Sequence, residues 1–161
     1  MSKVPLAIEE LHKAENDLAG HLLKVSGRHK ADHEIFYVAR DIARWSQEHV
    51  RGLARIGQDF GLALDPEPAE DGLLGKVRQK GDELLGRHHE TSLLLLADLR
   101  TIHRQAAGVS LDWEILAQTA QALKERELLQ LAKDYHPETL RQMRWANAKL
   151  KEVSAQVMVT P

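Results

Sequence analysis

One apolar row at heptad spacing constrains the fold more than any other feature of the chain. It lies within residues 32–61, where apolar side chains recur in alternating steps of three and four residues. This is the repeat of a helix packed among other helices. Charged side chains, most of them arginines, occupy the opposite face of the same stretch. The row therefore predicts a long helix inside a helical bundle, and it consists of Ile35, Ala39, Ile42, Ser46, His49, Leu53, Ile56 and Phe60.

The same repeat predicts a first helix over about residues 5–26. Pro5 suits its first position, where a backbone N–H would be unpaired in any case, and Gly27 suits a left-handed stop. Asp32 is a good N-cap for the second helix. Because the link between the two helices is short, we expect them to be antiparallel neighbours.

The C-terminal half predicts two more helices and a shorter last one. A third helix lies within residues 73–107, and four consecutive leucines at 93–96 place that turn deep in the core. Gly108 ends this helix and Ser110 caps a fourth, which runs to about Tyr135. Pro137 removes a backbone donor, so we expect a kink or a break there and a last helix over about 138–156.

These elements predict an all-α fold in a single domain spanning residues 1–161. The expected architecture is a four-helix bundle with a kinked or separate fifth helix at the C-terminus. Two topologies stay open. The linker 62–72 reaches ~37 Å when extended, against ~43 Å for the second helix. A longer irregular segment would let the connection cross the whole bundle, and a helix that begins at residue 73 would give an up-down-up-down bundle.

Composition limits the partners. The net charge of −2 argues against nucleic-acid binding, which needs a basic excess. The chain has no cysteine, so disulfides and thiolate metal ligands are excluded. No apolar run is long enough to cross a bilayer, and the first residues lack an apolar signal core. We therefore expect a cytoplasmic protein without a membrane partner, and self-association into a homo-oligomer is compatible with this composition.

Polar residues on the core-facing rows are the candidates for chemistry. Counting from turns near residues 29 and 109 places several of them at one level of the bundle. Imidazole and carboxylate ligands on facing helices are how bundles hold iron or manganese. The predicted metal ligands are His12, Glu15, His49, His88 and Glu127.

A second interpretation needs no metal. A neutral histidine on a core row can be satisfied by a hydrogen bond to a backbone carbonyl. Glu15 can pair with an arginine of a neighbouring helix. In that case the chain is a non-catalytic helical bundle that acts as an interaction or structural module.

The core-facing Glu15, His49 and the long linker together resemble the ferritin-like superfamily. Its members pair a glutamate of the first helix with a Glu-x-x-His motif on the second and fourth helices. In this chain Glu15 and His49 match by position, whereas Ser46 stands three residues before His49 and the fourth helix has no histidine before His136. The resemblance implies an oxidoreductase-related protein with an atypical iron or manganese centre.

Overall fold

The computed structural model describes residues 2–69 and 91–161, and these form four long helices. The helices are α1 (Val4–Arg28), α2 (His33–Gly57), α3 (Thr91–Leu123) and α4 (Arg126–Val159), and a 3-10 turn at Gln58–Phe60 extends α2. Neither described range contains a strand. The predicted all-α four-helix bundle is therefore confirmed. No helix within these two ranges is both long and apolar enough to span a membrane.

The first hairpin forms as its sequence predicts. Pro5 lies in the first turn of α1, and the Asp32 side chain accepts a hydrogen bond from the Ile35 N–H at the start of α2. The apolar row of α2 is buried from Ile35 to Ile56 and packs on the corresponding row of α1.

The predicted boundary at Gly108 and Ser110 is wrong. Helix α3 runs through both residues and ends at Leu123, and the turn to α4 lies at Lys124 and Glu125. A glycine inside a helix costs about 1 kcal/mol relative to alanine. Buried apolar residues on both sides of Gly108 offset that cost, among them Ile102, Ala106, Val109, Trp113 and Leu116.

The separate fifth helix is also wrong, because α4 is one helix with Pro137 inside it. Pro137 lies on the exposed side, so the carbonyl that loses its partner can be hydrated. Buried residues before and after it, including Ala132 and Ala146, keep both halves of the helix on the same core.

Contacts between the helices define the topology. Arg28 at the end of α1 binds Asp98 near the start of α3. Glu15, which precedes Arg28 in α1, contacts Trp113, which follows Asp98 in α3, so α1 and α3 are antiparallel. Lys149 reaches Glu34 while Gln142 reaches the Ile42 carbonyl, so α2 and α4 are antiparallel as well. Because each hairpin is antiparallel too, α2 and α3 run in the same direction.

The chain between α2 and α3 therefore joins opposite ends of the bundle, which is the crossover topology. The described start of this connection follows α1. The Asp65 carbonyl accepts a hydrogen bond from the His12 ring, and the Ala69 N–H donates to the Asn16 side chain.

The four leucines at 93–96 are not deep in the core. Leu93 is 43% exposed, and the next three are half-buried. The end of α1 meets α3 at Asp98, so α3 begins beyond the last turn of α1 and this part of α3 has fewer neighbours.

Candidate functional site: a buried polar layer

A layer of polar side chains crosses the bundle core, and all four helices contribute to it. Helices α1 and α3 each supply one side chain, while α2 and α4 each supply two that are three residues apart. All six are completely buried. The layer consists of Glu15, Ser46, His49, Trp113, Thr139 and Gln142.

The carboxylate of Glu15 is the centre of this layer. The Trp113 indole N–H donates to its Oε1 over 3.1 Å, and the Thr139 hydroxyl donates to the same oxygen over 3.5 Å. The other oxygen, Oε2, lies 3.1 Å from Nδ1 of His49. Neither of these last two atoms has a partner at hydrogen-bond angles, so their contact is a close approach rather than a well-aligned hydrogen bond.

His49 lies between two carboxylates. Its Nε2 is 3.3 Å from Oε1 of Glu138, whose side chain is 24% exposed. A carboxylate oxygen only accepts, so both contacts are favourable together when the ring is an imidazolium with two N–H groups. The ring then carries one positive charge between the buried Glu15 and the partly exposed Glu138.

Aromatic rings enclose His49. The Tyr135 ring stacks on it at 4.3 Å between centroids, and Trp113 meets it edge-on at 5.8 Å. Burial raises the pKa of Tyr135, and the nearby Arg55 opposes this only in part, so the phenol stays protonated at neutral pH. A Cβ atom at Gly52 would come within 2.6 Å of the Tyr135 ring, so the absence of a side chain there allows the stack to form.

A second set of hydrogen bonds lies next to this pair. The Gln142 amide donates to the Ser46 hydroxyl over 2.9 Å and to the Ile42 carbonyl over 2.8 Å. These bonds connect α4 to α2.

The structure brings together two of the five predicted ligands, Glu15 and His49. His12 binds the Asp65 carbonyl at the linker instead. Glu127 is exposed and lines a surface cleft of about 380 Å³ near the end of α2. Its predicted height in the bundle was counted from a turn near residue 109, whereas α3 continues through that residue. His88 lies outside the described residues.

The arrangement fits a metal ion poorly. Glu15 and Glu138 lie on opposite edges of the His49 ring and cannot converge with it on one point. The indole of Trp113 occupies the other oxygen of Glu15. Within residues 2–69 and 91–161, no group of three or more histidine, aspartate or glutamate side chains could hold a metal ion.

A second buried cluster of charged side chains connects the turn between α1 and α2 to α3. Asp98 accepts hydrogen bonds from Arg28 at 2.8 and 3.1 Å, and His29 Nε2 lies 2.7 Å from it. Burial lowers the pKa of the nearby His21, while the Asp98 charge opposes that shift. The sequence indicated only a short link here, because the contact with Asp98 spans about 70 residues.

Comparisons of the chain with protein-family models, with curated proteins and with solved structures found no match.

Proposed function

We propose that the protein is a non-catalytic bundle of ferritin-like topology that works as an interaction module. Its buried polar layer holds the four helices in register. The observation that carries the proposal is the hydrogen bonding within this layer: Trp113 and Thr139 donate to one oxygen of Glu15, and Gln142 donates to Ser46.

The pattern of inward positions supports the ferritin-like part of the proposal. In di-iron proteins of that architecture, two helices each supply a glutamate and two supply a Glu-x-x-His motif. Here α1 supplies Glu15, while α2 supplies Ser46 and His49 at the motif spacing. Helix α4 supplies Thr139 and Gln142 at the same spacing, and Trp113 fills the place on α3.

The side chains at the positions of the di-iron ligands support the proposal that the layer holds no metal. Trp113 offers only an N–H donor, which cannot bind a cation. The Gln142 amide donates to Ser46 and to the Ile42 carbonyl, and its buried Oε1 has no hydrogen-bond partner. Ser46 and Thr139 are neutral hydroxyls, and each is hydrogen-bonded to another member of the layer. Two side chains of the types that usually bind zinc remain, Glu15 and His49, against the four usual in a structural zinc site.

One observation favours a second function, an oxidoreductase-related iron or manganese centre. Oε2 of Glu15 and Nδ1 of His49 are buried, close together and without aligned hydrogen bonds. In the neutral tautomer of His49 that carries its proton on Nε2, Nδ1 has a lone pair, and both atoms could face a cation. These two groups would hold the ion, which would supply redox or Lewis-acid chemistry. Other ligands would have to come from water.

Elemental analysis separates the two functions. The protein is purified without a histidine tag, loaded with Fe²⁺ or Mn²⁺ under anaerobic conditions, desalted and analysed for bound metal. We expect less than roughly a tenth of an equivalent, the level of adventitious binding. About one equivalent that is lost in the His49→Ala variant would refute the metal-free module and establish the second function.

A further inference from the structure

One buried carboxylate connects α1 to α3 at the end of the bundle where α1 ends. Asp98 of α3 is 4% exposed, and it accepts hydrogen bonds on both oxygens from Arg28, the last residue of α1. His29, the first residue of the following turn, lies with its Nε2 2.7 Å from the same carboxylate. The turn between α1 and α2 is therefore tied to α3 through Asp98.

The ring of His21 lies beside this contact, two turns before the end of α1. It makes a hydrogen bond to the backbone of Asp98, whereas its Nε2 is buried and has no hydrogen-bond partner within residues 2–69 and 91–161. Nδ1 therefore makes the backbone bond, and the neutral ring carries its proton there. A second proton would go to Nε2, a buried atom for which the described residues provide no acceptor.

The surroundings of His21 oppose that second proton. Burial lowers the pKa of His21 below its ordinary value of 6.5, and the positive charges of Lys24 and Arg28 act in the same direction. The charge of Asp98 attracts the proton, but both oxygens of this carboxylate already accept hydrogen bonds from Arg28. The imidazolium form of His21 is thus disfavoured as long as this end of the bundle stays closed.

The other two helices meet at this end through a different ion pair. Lys149 of α4 binds Glu34 of α2 and Glu152 of its own helix. Burial lowers the pKa of Lys149, but these two bonds outweigh burial and raise it, so the amine stays charged in acid. The protonation of His21 therefore acts on the contact between α1 and α3 rather than on that between α2 and α4.

We infer that His21 and Asp98 form a pH-dependent switch, in which protonation of His21 releases the end of α1 and the following turn from α3 while the rest of the bundle stays folded. Opening lets the imidazolium reach water. The inference does not depend on the proposed function, because neither residue belongs to the buried polar layer.

Opening of this end exposes an apolar surface that is closed at neutral pH. The core residues next to the contact in α1 and α3 are completely buried, so separating the two helix ends brings them into contact with water. These residues are Leu22, Val25, Leu99 and Ile102. An interaction surface would then be available in mild acid and hidden above it.

The linkage between proton binding and opening gives the size of the effect. Once His21 is in water it binds a proton with its ordinary pKa of 6.5, whereas the closed form binds one only at lower pH. Acid therefore favours opening between pH 6.5 and the pKa of the closed form, by up to about tenfold in the opening constant for each pH unit.

Native-state hydrogen exchange of the full chain, corrected for the intrinsic pH dependence of amide exchange, tests the switch. Between pH 7.5 and 5.5 we expect the opening constants of amides in residues 22–29 and 98–102 to rise several-fold, and by no more than about tenfold. At pH 5.5 this opening should depend less on urea than global unfolding does, because it exposes only part of the core.

Two histidine variants identify the titrating group. His21→Gln removes it and should abolish the acid-induced rise. His33 is exposed at the start of α2, near the same turn, so His33→Gln is the matched control and should keep the rise. Circular dichroism verifies that each variant is folded, and the exchange of the wild-type protein decides the outcome even where a variant fails to fold.

Opening constants that are equal at the two pH values in the wild-type protein would overturn the switch. An opening of these amides that depends on urea as strongly as global unfolding does would overturn it as well, because the end would then not open separately. A folded His21→Gln protein that keeps the acid-induced rise would overturn the role of His21. None of these results bears on metal content, so the failure of this inference and the failure of the proposed function are distinguishable.

Discussion

The His49 side chain of α2 contacts side chains of each of the other three helices. Its ring lies beside Glu15 of α1 and Glu138 of α4, and Trp113 of α3 donates to the same Glu15. A buried charge is costly unless it is paired, so any shift of one helix along another would leave a buried polar group without its partner. The polar layer therefore favours one register of the bundle over its alternatives.

A double-mutant cycle measures this pairing. Glu15→Gln and His49→Gln should each lower the free energy of unfolding by about 1–3 kcal/mol. The double variant should lose less than the sum, with a coupling energy of about 0.5–3 kcal/mol. Urea unfolding provides the values.

The exposed pair Glu48 and Arg51, 2.9 Å apart on the same helix, is the matched control. Its coupling should be less than about 0.5 kcal/mol, because exposed ion pairs are screened by water. Additive losses for Glu15 and His49 would show that the two side chains do not stabilise each other.

His21 makes stability depend on pH in a defined direction. Burial lowers its pKa from the ordinary 6.5, and the charges of Lys24 and Arg28 act in the same sense, against that of Asp98. The unfolded chain therefore binds a proton at a higher pH than the folded chain does. The stability that the neutral ring provides is complete above pH 6.5 and is lost as the pH falls through the folded pKa.

The His21→Gln variant should consequently lose less stability than wild type between pH 7.5 and 5.5. Urea midpoints of both proteins at the two values measure this difference. A wild-type protein that is no more sensitive to acid than the variant would contradict the burial of a neutral His21.

At the scale of the helices, the periodicity of apolar residues correctly predicted the helices of the first hairpin. Single residues that usually end a helix predicted boundaries that the structure does not have. The rows of α1 and α2 were predictable because their apolar residues face one core throughout. Gly108 and Pro137 looked like stops, but each faces outward, where a helix tolerates it. The real turn carries Lys124 and Glu125, which are not typical turn residues, so nothing in the sequence marked it.

The same turn offers a prediction of stability. Lys124 has a φ of 60°, in the left-handed region that disfavours residues with a Cβ. The N–H groups of Lys124 and Glu125 bind the Gln121 and Ala120 carbonyls, the pattern of a helix end that usually has glycine at this place. Lys124→Gly should therefore raise the free energy of unfolding by about 0.5–1 kcal/mol.

Lys124→Ala keeps the Cβ and is the control. It should give no comparable gain, because the backbone strain remains. Equal effects of the two substitutions on the urea midpoint would mean that the lysine side chain, rather than the backbone, determines the change.

For the whole molecule, the fold class was predictable and the composition of the polar layer was only partly so. Glu15 and His49 were found because each interrupts an apolar row. Trp113, Thr139 and Gln142 were missed because the wrong turn near residue 109 shifted the expected level of every residue after it. The directions of α2 and α3 could not be decided either, since they depend on contacts such as that between Arg28 and Asp98.

Thermal melts of wild type and His49→Ala, each with and without Fe²⁺, Mn²⁺ and Zn²⁺, test most directly whether the layer is a metal-free core. We expect His49→Ala to melt lower, by roughly 2–4 °C for each kcal/mol lost. We expect none of the three metals to move either melt, because only a native state that binds an ion is stabilised by it. A metal that raises the wild-type melting temperature but leaves that of His49→Ala unchanged would contradict the metal-free layer.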